Sequence, residues 1–309
     1  MLELAQFTPE LLVVSSGLAC IGLATNALTR SRPHKEVIAQ VCLATVFVCL
    51  FQTTFSMVKN SIPHIVPFYA DPYLAKIDNV LHFGVDPWEL VYWLFPQLPD
   101  NILTTVYAKV WTLAALVLPF IIAMFDTNPQ RVKRTMILYL VAWIFIGNVM
   151  AILGSSVGPV FYDQLMNISR FAELRTALQY SGTDDPLFFA MQQSLWWNYE
   201  NTTQNLGTGI SAFPSVHTAI AFVIASYLFD VSKYLLPVSI GLVAGILFLS
   251  IYTGYHYAVD GYVSILVMYL VRRWLLRRHP SEYHRRKGSV ATQGLTYDPA
   301  NGFLSRQVR

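Results

Sequence analysis

Apolar runs recur along this chain at about residues 11–28, 37–58, 104–125, 135–154, 216–231, 235–253 and 258–275, most of them long enough to cross the hydrocarbon of a bilayer as a helix. Each run is continuously apolar instead of alternating, which argues against a β-barrel. Of the 309 residues, 54% are hydrophobic and only 13% charged, where a soluble domain carries roughly a quarter. The sequence therefore predicts an all-α fold, a polytopic membrane helical bundle of about seven spans. Asp230 to Lys233, between the fifth and sixth runs, leaves room only for a tight turn between antiparallel helices.

The basic residues set the expected sidedness. All but Lys59, Lys76, Lys109, Arg170 and Arg175 fall in alternate connections or at and beyond the end of the last run. That bias predicts the N-terminus outside and the C-terminus in the cytoplasm. The start, with Glu3 and Glu10 and no basic region, is not expected to be a cleavable signal peptide. Cys20, Cys42 and Cys49 all lie inside apolar runs and read as small buried hydrophobes. Two long connections, about 59–103 and 155–214, are rich in Trp, Tyr and Pro. Most of these aromatics suit a belt at the water interface; the sharper reading is that the loops, too aromatic for disorder, form short interfacial helices roofing a lipid-accessible site. Residues 1–278 are expected to form a single membrane-embedded catalytic domain, and 279–309 a polar, basic cytoplasmic tail.

Two segments carry the chemistry. Ser211 to Thr218 and Gly254 to Gly261 each lie where an apolar run begins, on the same expected outer side. His256 and Asp260 are four apart, hence neighbours on one helical face. An imidazole held at one nitrogen by a carboxylate keeps a lone pair on the other and is a competent nucleophile toward phosphorus. His217 follows Pro214 and Ser215 at a helix start, where free N–H groups and the dipole favour a phosphate. There it can serve as the acid and base of the reaction. Ionisable residues at a membrane boundary are costly and point to function.

Ala212 to His217, with His256, Tyr257 and Asp260, resemble the type 2 phosphatidic acid phosphatase superfamily, and within it the inositol phosphorylceramide synthase-like branch. The resemblance covers the C-terminal third. It implies a six-helix phosphatase-like core and a covalent phosphohistidine mechanism that needs no metal or other cofactor. By that resemblance His256 is the nucleophile, Asp260 its orienting carboxylate and His217 the acid/base. The expected reaction is lipid phosphotransfer or phosphate hydrolysis. Its substrate is a membrane lipid, and its acceptor a lipid or polyol alcohol or water; no nucleic acid is expected.

This chain departs from the superfamily pattern at Val216, where glycine is usual, and at Ser250, where an arginine is usual. Lys59 and Pro67 have the spacing of the superfamily's first motif, but Val66 replaces its arginine. The segment from Gly154 to Asp163 occupies the usual place of that motif and lacks a basic residue. Phosphoryl transfer needs positive charge on the equatorial oxygens, so another cation is expected at the site. Lys59 is the first candidate, ahead of Lys109 and Arg170. Ser215, Tyr162, Asp163 and Tyr257 complete the expected substrate contacts. A thin cationic clamp suits a phosphodiester, which favours a transferase. Two other readings are open to these residues: a metal site built on the two histidines and Asp260, and a lipid transporter or scramblase. The second is disfavoured because the spans are not broken by internal Pro/Gly pairs and the two halves show no inverted repeat.

Overall fold

The computed structural model describes residues 34–181, 185–202, 209–278, 296–297 and 304–305. The run at 11–28 lies outside the described residues, as does the tail beyond 278 except for one short antiparallel pairing, Thr296 with Ser305 and Tyr297 with Leu304. The chain divides into two compact units, 1–269 and 270–309. The rest of the described chain is helical, as the apolar runs require.

Helix α1 spans His34–Ile65. Helix α4 covers 103–125, wound as a π-helix over Leu103–Val110 and as an α-helix over Trp111–Phe125. Helix α5 covers 129–153, with a π-helical middle at Val141–Met150. Val216–Val231 is α9, Leu236–Tyr252 is α10 and Ala258–Arg278 is α11. Among the described residues, four helical stretches are long and apolar enough to cross a membrane: Ile38–Ile65, Leu103–Ile122, Pro129–Leu153 and Lys233–Tyr252, while Val216–Val231 is apolar but shorter. α11 is long enough, but its last turns carry Arg272, Arg273, Arg277 and Arg278. These positions agree with the expected runs. The main difference is α1, which continues past 58 to Ile65 and so places Lys59 inside the helix instead of at its end.

The two long connections fold into short helices. α2 (Asp71–Leu81) and α3 (Pro87–Leu94) form in the first; α6 (Pro159–Met166), α7 (Ala172–Tyr180) and α8 (Pro186–Glu200) form in the second. Four of the five carry proline in the first turn, where its fixed φ suits the helix and its missing N–H costs nothing. Asp185 caps α8 by accepting from the Phe188 N–H at 3.1 Å, and it also takes the Thr104 N–H at 2.7 Å, which ties α8 to the start of α4.

In the bundle, α9 and α10 pack as the expected antiparallel pair, α1 packs on α4 and on the π-helical part of α5, and α5 packs on α9. A buried apolar cluster lies where the short helices meet the ends of α4 and α10, with Leu103, Tyr107, Leu174, Phe188, Tyr252 and Tyr257 among its members. At the other end, Arg131 pairs with Asp126 at 2.5 Å and Arg134 with Asp230 at 2.7 Å, joining the α4–α5 turn to the end of α9. The basic connection is therefore at the end of α4, α5 and α9 opposite the histidines.

Two glycine positions separate backbone need from packing freedom. Gly158 has φ +84°, and a Cβ there would run into the Tyr255 carbonyl. Gly241 and Gly245 on α10 have open space around the same position. Gly158→Ala is therefore expected to cost about 1–3 kcal/mol, whereas Gly241→Ala and Gly245→Ala are neutral or slightly stabilising. Thermal unfolding of the three purified variants checks this ordering.

Candidate active site

His217 opens α9 and His256 lies in the loop between α10 and α11, so each imidazole stands at a helix entry. The fold brings the rings to 5.8 Å between centroids, inclined at 62°. Ser215 caps α9, its hydroxyl accepting from the Thr218 N–H at 3.3 Å and from the Thr218 hydroxyl at 3.2 Å. The Ser215 N–H donates to the Asp260 carbonyl at 3.3 Å, which stitches the two histidine segments together.

His256 is buried and its Nδ1 faces two acceptors, the Ala212 carbonyl at 2.7 Å and Asp260 Oδ2 at 3.3 Å. A carbonyl can only accept, so Nδ1 carries the proton and Nε2 keeps its lone pair. Asp260 Oδ2 also accepts from the Tyr257 N–H at 3.0 Å, while Oδ1 finds no partner among the described residues. Burial, reinforced by the charge of Lys59 and opposed by the Ala212 hydrogen bond, pushes His256 down from 6.5 to about 3. Its ring is neutral at physiological pH.

The half-buried His217 ring is stacked on two aromatic side chains of α4, Tyr107 at 4.4 Å and Trp111 at 4.0 Å. Trp111 also donates its indole N–H to the His217 carbonyl at 3.0 Å. Tyr107 and Trp111 are four apart where π-helix passes into α-helix, and π-helical turns are frequent at functional sites. The half-buried Lys59 acts electrostatically on both imidazoles.

Around the pair, the chain is closed by hydrogen bonds that join distant segments. Ser156 accepts from the Ala212 N–H through its carbonyl and from the Phe213 N–H through its hydroxyl, both at 2.9 Å. The Gly254 carbonyl accepts from the Val160 N–H at 2.8 Å. The segment from Gly154 to Asp163 therefore borders the histidines as its place in the chain implied. It contributes backbone and a serine, not a charge. Among the described residues, no three His, Cys, Asp or Glu side chains form a group that could hold a metal ion.

His217, His256, Asp260 and Ser215 come together with Lys59 in electrostatic reach of both rings, while Arg170, Asp163, Tyr162 and Tyr257 are engaged elsewhere and Lys109 faces away. Lys109 is exposed, two residues from both Tyr107 and Trp111 and hence on the other face of α4. Arg170 pairs with Asp86 at 2.7 Å and lies over the Phe171 ring. Asp163 accepts from the Phe171 N–H at 2.9 Å and pairs with Arg175 at 3.5 Å. Tyr162 packs edge-on against Phe171, and the Tyr257 hydroxyl donates to Asp71 at 3.0 Å. Asp78 is buried and accepts from two backbone N–H groups of α11.

Several residues had no sequence signal of their own: the Ala212 carbonyl, Ser156, Asp71, Tyr107 and Trp111. Only the last two had a helical spacing, i and i+4, that an aromatic face on α4 would show.

A family model described as the PAP2 superfamily matches residues 72–284, which takes in both histidine segments and the short helices before them. No curated protein and no solved structure matches the chain significantly.

The depressed pKa of His256 has a consequence for stability. The unfolded imidazole takes up its proton near 6.5 and the folded one only near 3. The folded state is therefore most favoured above 6.5 and loses stability as pH falls from there toward 3. Lowering the pH from about 7 to about 5 is expected to reduce the thermal midpoint of the wild type more than that of His256→Asn, which has no titrating ring. A thermal-shift series across that range measures the difference.

Proposed function

The chain belongs to the PAP2 superfamily, and from that premise we propose that it is an integral membrane phosphatase or phosphotransferase that acts on a lipid phosphate through a phosphohistidine on His256. The observation that carries the reading is the facing pair of imidazoles, 5.8 Å apart, one of them with Nδ1 held by two acceptors.

The steps follow from that pairing. Nε2 of His256 attacks phosphorus; the N–P bond forms as the bond to the leaving oxygen breaks. His217 gives its proton to that oxygen. The ring of His256 gains positive charge, which the Ala212 carbonyl and Asp260 stabilise at Nδ1. In the second half, water or an alcohol gives its proton to His217 and attacks phosphorus, and the N–P bond breaks. His256 returns to neutral. Lys59 supplies the positive charge for the equatorial oxygens.

The charge balance favours a phosphodiester over a monoester. Val66 and Ser250 stand where the superfamily pattern has arginines, and Lys59 acts on the pair while Asp71 and Asp78 lie within electrostatic reach of Asp260. A singly charged diester is the better match to so little positive charge. With the match of Ala212 to His217 and of His256, Tyr257 and Asp260, this supports a transferase of the inositol phosphorylceramide synthase-like kind, with a lipid or polyol alcohol as acceptor. The bias of basic residues toward alternate connections supports a site on the non-cytoplasmic face, with the N-terminus outside and the C-terminus in the cytoplasm.

The test uses purified full-length protein incubated with a mixed phospholipid pool and followed by lipid mass spectrometry. His256→Ala is expected to lose all turnover and His217→Ala to lose roughly 10²–10⁴-fold. Lys59→Met should lose roughly 10²–10³-fold. An acid-labile phosphoenzyme is expected from wild type and not from His256→Ala. Full activity in the His256 variant would end the proposal, and the product identified decides between alcohol and water.

A further inference from the structure

Helix α2 carries two aspartates seven residues apart, Asp71 and Asp78, which two helical turns bring onto one face. Both are buried, while Tyr73, Lys76, Ile77 and Val80 on the other side of the helix are exposed. Buried carboxylates are costly unless their lone pairs are satisfied, and each of these is satisfied by a segment of the candidate site. Asp71 accepts from the N–H groups of Val157 and Gly158, both at 2.9 Å, and from the Tyr257 hydroxyl at 3.0 Å. Asp78 accepts from the N–H groups of Ala258 at 2.7 Å and Val259 at 2.8 Å, the free donors of the first turn of α11.

The segments so joined are those that orient His256. Next to Val157 and Gly158 is Ser156, which holds Ala212 and Phe213, and the Ala212 carbonyl holds His256 Nδ1. Tyr257, Ala258 and Val259 follow His256 directly in the chain. One short helix therefore grips the backbone that bears the imidazole and the backbone that bears its acceptor. An apolar face on α2 would fill the same core at less electrostatic cost, so packing alone does not account for two carboxylates.

We propose that Asp71 and Asp78 are positioning residues for the phosphoryl-transfer reaction, a two-carboxylate brace on α2 that sets the distance and angle of His256 relative to His217. The proposal rests on the reading of His256 as nucleophile. Nothing in it requires either aspartate to touch substrate. The brace acts on the reacting geometry, so its loss lowers kcat and leaves substrate affinity alone.

The experiment measures kcat and KM of purified full-length Asp71→Asn and Asp78→Asn on the lipid substrate identified for the wild type, with thermal midpoint and gel-filtration profile for each. Asparagine keeps the size but presents an amide N–H₂ to one of the N–H donors. The expected result is a kcat lower by roughly 10- to 100-fold with KM within about twofold, in protein that is folded at the assay temperature. Wild-type kcat, or a loss no greater than the fraction of unfolded protein, would overturn the proposal. If either asparagine variant does not fold, Tyr257→Phe decides, because it removes only the phenol bond to Asp71: kcat lower by at least about threefold at unchanged KM supports the brace, and wild-type kcat overturns it. His256→Ala run alongside separates the two ideas. An active His256→Ala removes the functional reading itself; an inactive one beside unaffected brace variants removes only the brace.

Discussion

The hydrogen bond from His256 Nδ1 to the Ala212 carbonyl, 2.7 Å between residues 44 apart in sequence, is the contact on which the rest of the site depends. It sets the tautomer, because the carbonyl cannot donate, and so it leaves the free lone pair on Nε2. Asp260 is the longer partner, at 3.3 Å. The carboxylate four residues on thus shares a task that the pattern of the chain assigns to it alone. Holding that carbonyl in place takes Ser156, which receives the N–H groups of both Ala212 and Phe213. In a buried site each such bond is worth more than it would be in water, and each is costly to lose.

The electrostatics around the two rings are lopsided. Asp71 and Asp78 both act on Asp260, whereas Lys59 acts on the imidazoles from α1. Burial pushes Asp71 and Asp78 up from the ordinary carboxylate range, and the backbone N–H groups they receive pull the other way. At the opposite end of the bundle, ion pairs do a different job. Arg131 with Asp126 and Arg134 with Asp230 tie the α4–α5 turn to α9, and Asp126 is buried, so its partner is needed to offset the loss of hydration.

Much of the fold was legible because a bilayer permits few solutions. The runs at 104–125, 216–231 and 235–253 agree closely with α4, α9 and α10, since continuous apolar sequence has no other stable form in lipid. The proline-led starts of α2, α3, α6 and α8 were visible as composition, and they are helices because proline suits the first turn. The ends were less legible. α1 carries its helix through Lys59 and Pro63 to Ile65, where a hydropathy reading stops at the first polar residues.

The helical membrane architecture and the choice of His217, His256 and Asp260 were legible in the chain, because an imidazole four residues before a carboxylate is a local pattern. The shared helical face expected of that pair is not what forms, since His256 stands in the loop before α11 and only Asp260 is on the helix. The sequence also ranked Lys59 above Lys109 and Arg170. Only the tertiary structure decided which charges face the imidazoles and which are spent on the scaffold. Arg170 is taken by Asp86, Asp163 by the Phe171 N–H and Arg175, and Asp78 by the first turn of α11. The physical reason is that a buried charge is governed by the partner that satisfies it, and these partners come from segments far away in the chain, beyond the reach of any local pattern.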